Sequence, residues 1–269
     1  MRQKKGNHKQ SSSTQQLVWG VVVMIFLILT VYFAAPYIRR LKSSKEFTAF
    51  PIGVIRGIDV SHYQGEIDWA KVADGALDGE PVSFVFIKAT EGKTILDEYF
   101  IYNFSSAHKY GIIRGAYHVF SSKSSAQEQA DFFCNVVELK KKDLYPVLDV
   151  EGLGTLTPNQ LREGILDWMN IVEKHFGVTP ILYTSYKFKI DYLNGPEFDR
   201  YPYWIAHYYV DKLKYQGNWA FWQHTDRGAI DGIEGEIDVD LFNGTYSDLL
   251  CLTMPEDRLK FQWNDYKHR

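Results

Sequence analysis

A chain of 269 residues that is 45% hydrophobic and 23% charged has enough apolar material for a sizeable core and too much for a disordered polymer. Its net charge of −3 lacks the basic excess that phosphate backbones require, so nucleic acid is not an expected partner. Only Cys134 and Cys251 occur, which excludes a disulfide framework and a cysteine-rich metal site and leaves a single bridge open.

The chain begins with a basic, Ser/Gln-rich leader, residues 1–16, carrying Arg2, Lys4, Lys5 and Lys9. Residues 17–35 follow, with only Gly20 and Thr30 weakly polar, and at about 1.5 Å per residue such a helix crosses a bilayer core. Signal cleavage beside Ala34 or Ala35 would put Tyr32 or Phe33 where a small residue is wanted, and Pro36 follows. The expectation is an uncleaved transmembrane anchor over residues 17–38. Loop charge leaves its orientation open, because Arg39, Arg40, Lys42 and Lys45 make the far side basic too. Residues 39–50 read as a linker, 51–247 as one globular domain, and 248–269, charged and without clear periodicity, as an extension.

Within the globular part, short apolar runs predict strands at 54–60, 84–89, 112–120, 145–150, 180–184, 203–208, 220–225 and 237–241. Amphipathic stretches between the first ones predict helices at 69–77, 98–110, 126–139, 158–176 and 186–193. The fourth helix is well signed, with Thr157 as N-cap, Pro158 at the first helical position and Gln160 completing a capping box. Alternation of strand and helix implies parallel strands with helical crossovers. After residue 208 the gaps shorten and hold Gly217, Gly228, Gly232 and Gly235 instead of helical periodicity. The expected fold is therefore α/β: an irregular TIM-like barrel of about eight strands and five helices, preceded by the one membrane helix.

Barrels of this kind gather reactive residues at the C-terminal ends of their strands. Asp149 and Glu151 close the run Tyr145-Pro-Val-Leu-Asp-Val-Glu-Gly152, and Asp59 ends the first strand. Residues i and i+2 of a strand share a face about 6.6 Å apart, so the two acids of Asp149-Val-Glu151 address one pocket. Paired carboxylates suit glycoside chemistry, because a protonated one can serve the leaving oxygen while an ionised neighbour supports positive charge at the sugar carbon. The alternative reading of an isolated Asp-x-Glu is two solvated acids where a strand enters a loop. High aromatic content, 16%, suits sugar faces as well as ordinary packing.

Further blocks sharpen the choice: Gly57-Ile-Asp-Val-Ser-His-Tyr-Gln-Gly65, Phe86-Ile-Lys-Ala-Thr-Glu-Gly92, Gly115-Ala-Tyr-His118, Leu182-Tyr-Thr-Ser185, Trp204-Ile-Ala-His207, Trp222-Gln223 and Ile237-Asp-Val-Asp-Leu241. With the Asp-x-Glu block they resemble, in order and over residues 57–244, the glycoside hydrolase family 25 lysozymes, which are N-acetylmuramidases. The resemblance implies a barrel with five helices and eight strands. It also implies a groove lined by four acids, matched here by Asp59, Asp149, Glu151 and Asp238, with Glu151 at the general acid/base position. It favours substrate assistance, in which the acetamido oxygen of N-acetylmuramic acid attacks its own anomeric carbon while Asp149 orients that group. A covalent nucleophile, Asp149 or Asp238, and an inverting reaction through water are the alternatives. Tyr63, Tyr117, Tyr183 and Trp204 are the sugar-contacting rings by motif position.

One departure is Asp240, where the family often has Asn. By strand alternation it shares a face with Asp238, and either raises a neighbour's pKa or faces solvent. His62, His118, His207 and His224 lack metallohydrolase spacing, so neither a metal nor another cofactor is expected. Gly92-Lys-Thr94 imitates the end of a phosphate loop, but the required earlier glycine falls on Ile87. No Gly-x-Ser-x-Gly elbow occurs. A chitinase-type signature would need acids at Leu144 and Val147. The expected partners are peptidoglycan glycan strands, cleaved at the β-1,4 bond after N-acetylmuramic acid, and a membrane holding the helix. Such a substrate places the barrel on the extracytoplasmic side of a single-pass anchor. A catalytically silent, tethered wall-binding module is the alternative from a different class.

Overall fold

The computed structural model describes residues 54–255. The expected leader, anchor and linker, and the extension beyond residue 255, lie outside the described residues. Among those described, no helix is long and apolar enough to cross a membrane.

Eight strands close into a barrel: β1 (Arg56–Val60), β3 (Glu80–Glu91), β5 (Ile113–Val119), β6 (Val147–Asp149), β7 (Ile181–Ser185), β8 (Tyr203–Ala206), β9 (Phe221–Gly228) and β10 (Ile237–Phe242). Neighbours from β1 to β9 pair in parallel. β10 runs antiparallel to both β9 and β1. The parallel order ends at the last strand, because the connection from β9 holds no helix to carry the chain back across the barrel and returns it as a hairpin instead. Strand composition carries no sign of direction.

The helices are α1 (Trp69–Asp74), α2 (Phe100–Lys109), α3 (Ala126–Val136), α4 (Pro158–Phe176), α5 (Tyr186–Tyr192) and α6 (Tyr246–Leu250). α4 has the expected bounds. Thr157 and Gln160 exchange capping hydrogen bonds at its start, and Gly177, at φ 76°, ends it in the left-handed conformation. Leu161, Ile165, Trp168, Met169 and Val172 give it one buried stripe.

Three local elements differ from expectation. The first helix stops at Asp74, and β2 (Ala76–Leu77) pairs with the start of β3 through Asp78 and Gly79, both at positive φ as a tight hairpin turn requires. A second short strand, β4 (Ile95–Leu96), folds back on the end of β3. A sixth helix, α6, is five residues long, too short to show a period, although Thr245 and Asp248 form its capping box. Packing also continues past residue 247. Leu249 and Leu252 are fully buried, Tyr145 N–H donates to the Leu252 carbonyl (2.9 Å), and Leu144 bridges Thr253. Cys134 and Cys251 are not bridged.

The barrel interior is aromatic. Phe86 stacks on Trp204 with centroids 4.4 Å apart, and Phe221 meets Phe84 and Phe86 edge-on at 5.1 and 5.0 Å. Glycines on neighbouring strands make the room. A Cβ at Gly57 would lie 2.3 Å from the Phe84 ring, and one at Gly115 would lie 2.7 Å from Phe86. Small residues facing large ones are how a narrow barrel fills without voids.

Candidate active site

The C-terminal ends of the parallel strands form one rim, and the reversed β10 brings its N-terminal end to the same rim. Asp59, near the end of β1, pairs directly with Asp238, near the start of β10. Asp149 ends β6, and Glu151 follows two residues on. All four acids line one cleft of about 290 Å³, together with Tyr63, Tyr117, Tyr183 and Trp204. The eight residues singled out in the sequence thus meet in one place.

Their settings differ. Tyr63 sits on the 3-10 turn His62–Gln64, which Ser61 and Gln64 cap reciprocally, and its ring is 84% exposed at the mouth. Buried Asp97 pins that turn by accepting the His62 N–H (2.9 Å) and pairing with its ring (3.1 Å). Tyr117 and Tyr183 form the walls and are buried apart from their cleft edges. Trp204 lines the cleft although it is almost wholly buried. Phe86 covers it, Tyr183 packs 4.3 Å from it, and its Nε1 donates to Asp240 Oδ1 (2.7 Å). It is the floor of the cleft.

Among the cleft residues not singled out in the sequence are Lys88, Tyr208 and Gln223. Gln223 ties the site together. Its Nε2 donates to Asp59 Oδ2 (2.6 Å), while its Oε1 accepts from the hydroxyls of Tyr183 (2.6 Å) and Tyr208 (2.7 Å). One amide thereby orients an acid and two phenols drawn from three other segments of the chain. Lys88 pairs with Glu91 (2.7 Å) and is the cation that faces the Asp149/Glu151 pair. A lysine in the apolar run of β3, and a glutamine inside a buried stretch of β9, were the available signals.

The electrostatics favour protons in this cleft. Burial, then Glu151, holds the Asp149 carboxyl well above the usual carboxylate range, with Lys88 opposing. Glu151 stands at the open side, and partial desolvation raises it while Lys88 again opposes. The repulsion within the pair falls on buried Asp149, which has less water to share its charge. Asp238 is pushed up to about 6 by burial, then by Asp226 and Glu151. Asp59 is raised by burial and then by Asp240, which does not face solvent. Outside the cleft, His118 lies between Thr90 (2.7 Å) and Gln129 (3.2 Å), and burial lowers its pKa to about 4.

Comparison with known proteins identifies the family and agrees with the fold. The family model for Glycosyl hydrolases family 25 matches residues 58–233. Lysozyme M1 of Streptomyces globisporus is 34% identical over 217 residues, 74% of this chain and 71% of that protein. The Escherichia coli K12 protein YegX is 44% identical over 196 residues, 72% of each chain. The crystal structure of a bacterial lysozyme from Streptomyces coelicolor superposes with a TM-score of 0.69 at 32% identity, covering 76% of this chain and 98% of that one. Asp238 lies beyond the family match, and its place in the cleft rests on the pairing with Asp59. The chain belongs to glycosyl hydrolases family 25, the family of these lysozymes, and is a glycoside hydrolase.

Proposed function

We propose that the enzyme is a β-1,4-N-acetylmuramidase that cleaves peptidoglycan glycan strands after N-acetylmuramic acid by acetamido-assisted general acid catalysis, with retention. The observation that carries this reading is the convergence of Asp59, Asp149, Glu151 and Asp238 on one ring-lined cleft. Glu151, on the open side, protonates the glycosidic oxygen as the acetamido oxygen attacks the anomeric carbon and the C–O bond breaks. Glu151, now a carboxylate, takes a proton from the water that reopens the oxazolinium ring. Asp149, fixed in the wall, receives the acetamido N–H. That hydrogen bond favours its ionised form, so binding moves the site's proton balance from Asp149 towards Glu151. Tyr63 offers a sugar-sized face at the mouth, and Asp59 and Asp238 form the opposite wall.

The apolar run 17–35 and an extracytoplasmic substrate support a single-pass anchor with the barrel outside the cytoplasm. Mass spectrometry of products from purified peptidoglycan tests the activity: fragments with N-acetylmuramic acid at the new reducing end are expected, and a different cleaved bond overturns the reading. Retained binding with no turnover would favour the silent module instead. Glu151→Gln should lower kcat by about 10²–10⁴ while glycan binding persists. Asp149→Asn should lower kcat more than it raises KM.

A further inference from the structure

β10 turns Asp238 and Asp240 to one face of the strand, yet into opposite surroundings. Asp238 borders the cleft, whereas Asp240 is 0% exposed and lies beneath it, inside the barrel. An ionised carboxylate in that position is strongly disfavoured unless both oxygens find donors. One does: Oδ1 accepts the Trp204 Nε1–H at 2.7 Å. Oδ2 is buried and has no donor. Across the strand pair, the neighbouring group that acts on Asp240 is a second carboxyl, Asp59 of β1. The antiparallel pairing sets Gly57 opposite Asp240 and Asp59 opposite Asp238, so Asp59 and Asp240 are diagonal neighbours on one face. Asp59 already takes a hydrogen bond from Gln223 Nε2. Two carboxyls, each supplied with one N–H, make a stable contact in a dry place when a proton lies between them.

We propose that Asp240 is a positioning residue that shares one proton with Asp59, joining Asp59 to the Trp204 floor and fixing how its carboxyl enters the cleft. The function assigned to Asp240 rests on the muramidase reading of the cleft; the shared proton does not. The surroundings agree with it. Burial is the largest influence on both acids and raises both, Asp238 raises both again, and Asp149 adds to the effect on Asp59. Tyr208, from the loop after β8, feels both charges. Lys88, the cation of the cleft, acts on Asp149 and Glu151 and is not among the influences on this pair. The proton removes one of three negative charges that Asp59, Asp238 and Asp240 would otherwise crowd onto adjoining strands.

The pair can be read without substrate. Infrared difference spectra of the full chain at neutral pH should show protonated-carboxyl absorption, of which Asp240→Asn removes one band and Asp149 keeps its own. Asparagine keeps the contacts, with Oδ1 facing Trp204 and Nδ2 donating to Asp59, so this variant folds. Asp240→Leu, which can do neither, should lose tenfold or more in kcat/KM, and Asp240→Asn should recover most of that loss. In unfolding series, the wild type holds a proton that its unfolded chain has released above about pH 4. Its stability therefore falls as pH rises through the folded pKa of the pair, and Asp240→Asn should show a shallower fall. Identical carboxyl bands in wild type and Asp240→Asn, or identical pH series, would overturn the proposal, and if Asp240→Leu does not fold these two comparisons still decide. Loss of the band together with products of the wrong bond would sink the muramidase reading and leave the shared proton standing.

Discussion

Gln223 shows how much of the cleft depends on one neutral side chain. Replacing it with Leu leaves Asp59 without its N–H donor and the Tyr183 and Tyr208 hydroxyls without their shared acceptor. Each buried polar group so stranded costs about 1–3 kcal/mol. Gln223→Leu should therefore lower the urea midpoint clearly and reduce kcat/KM at least about tenfold, ~1.4 kcal/mol of transition-state stabilisation. Asp238 supplies a test by pH. Its folded pKa of about 6 lies above the ordinary 3.8, so between these values the folded protein binds the proton more strongly than the unfolded chain does. Its contribution is complete below about pH 4 and is lost as pH rises through about 6. Asp238→Asn should flatten the unfolding curve in that window alone, which a thermal series across pH 3–8 would check.

Whole elements were legible in the sequence where chemistry marked their ends. Thr157, Pro158 and Gln160 announce α4, and the acids Asp59 and Asp149 stand where apolar strands run out. Other elements had no such mark. β2 hides behind the helical run that begins at Trp69, and Asp78-Gly79 was its one turn signal. The reversal of β10 has no compositional trace, yet it makes Asp238 a rim residue at the beginning of its strand. The Gln223 network was illegible for a related reason: it joins β1, β7, β9 and the loop after β8, and which side chains meet there depends on barrel closure and register. The same closure explains Gly57. A methyl group there would press into the Phe84 ring, so Gly57→Ala should cost about 1–3 kcal/mol by overpacking. Phe84→Leu in the same chain should return part of it, as a double-mutant cycle would show.

At the scale of the molecule, the described residues fall within one compact unit that carries every group of the cleft. Residues 51–269 expressed alone should therefore stay in solution without detergent and hydrolyse peptidoglycan at a rate close to that of the full chain, by turbidity loss. A requirement for detergent would place the domain boundary elsewhere. The meeting of Asp59 with Asp238 also fixes the order in which the enzyme comes into being. Synthesis delivers Asp59, Asp149 and Glu151 before the stave that closes the barrel and carries the fourth acid. A chain that stops before residue 237 would carry three of the acids but lack the strand that pairs with β1 and closes the barrel. Such fragments should give no turbidity loss, so hydrolysis is expected only once the final strand docks.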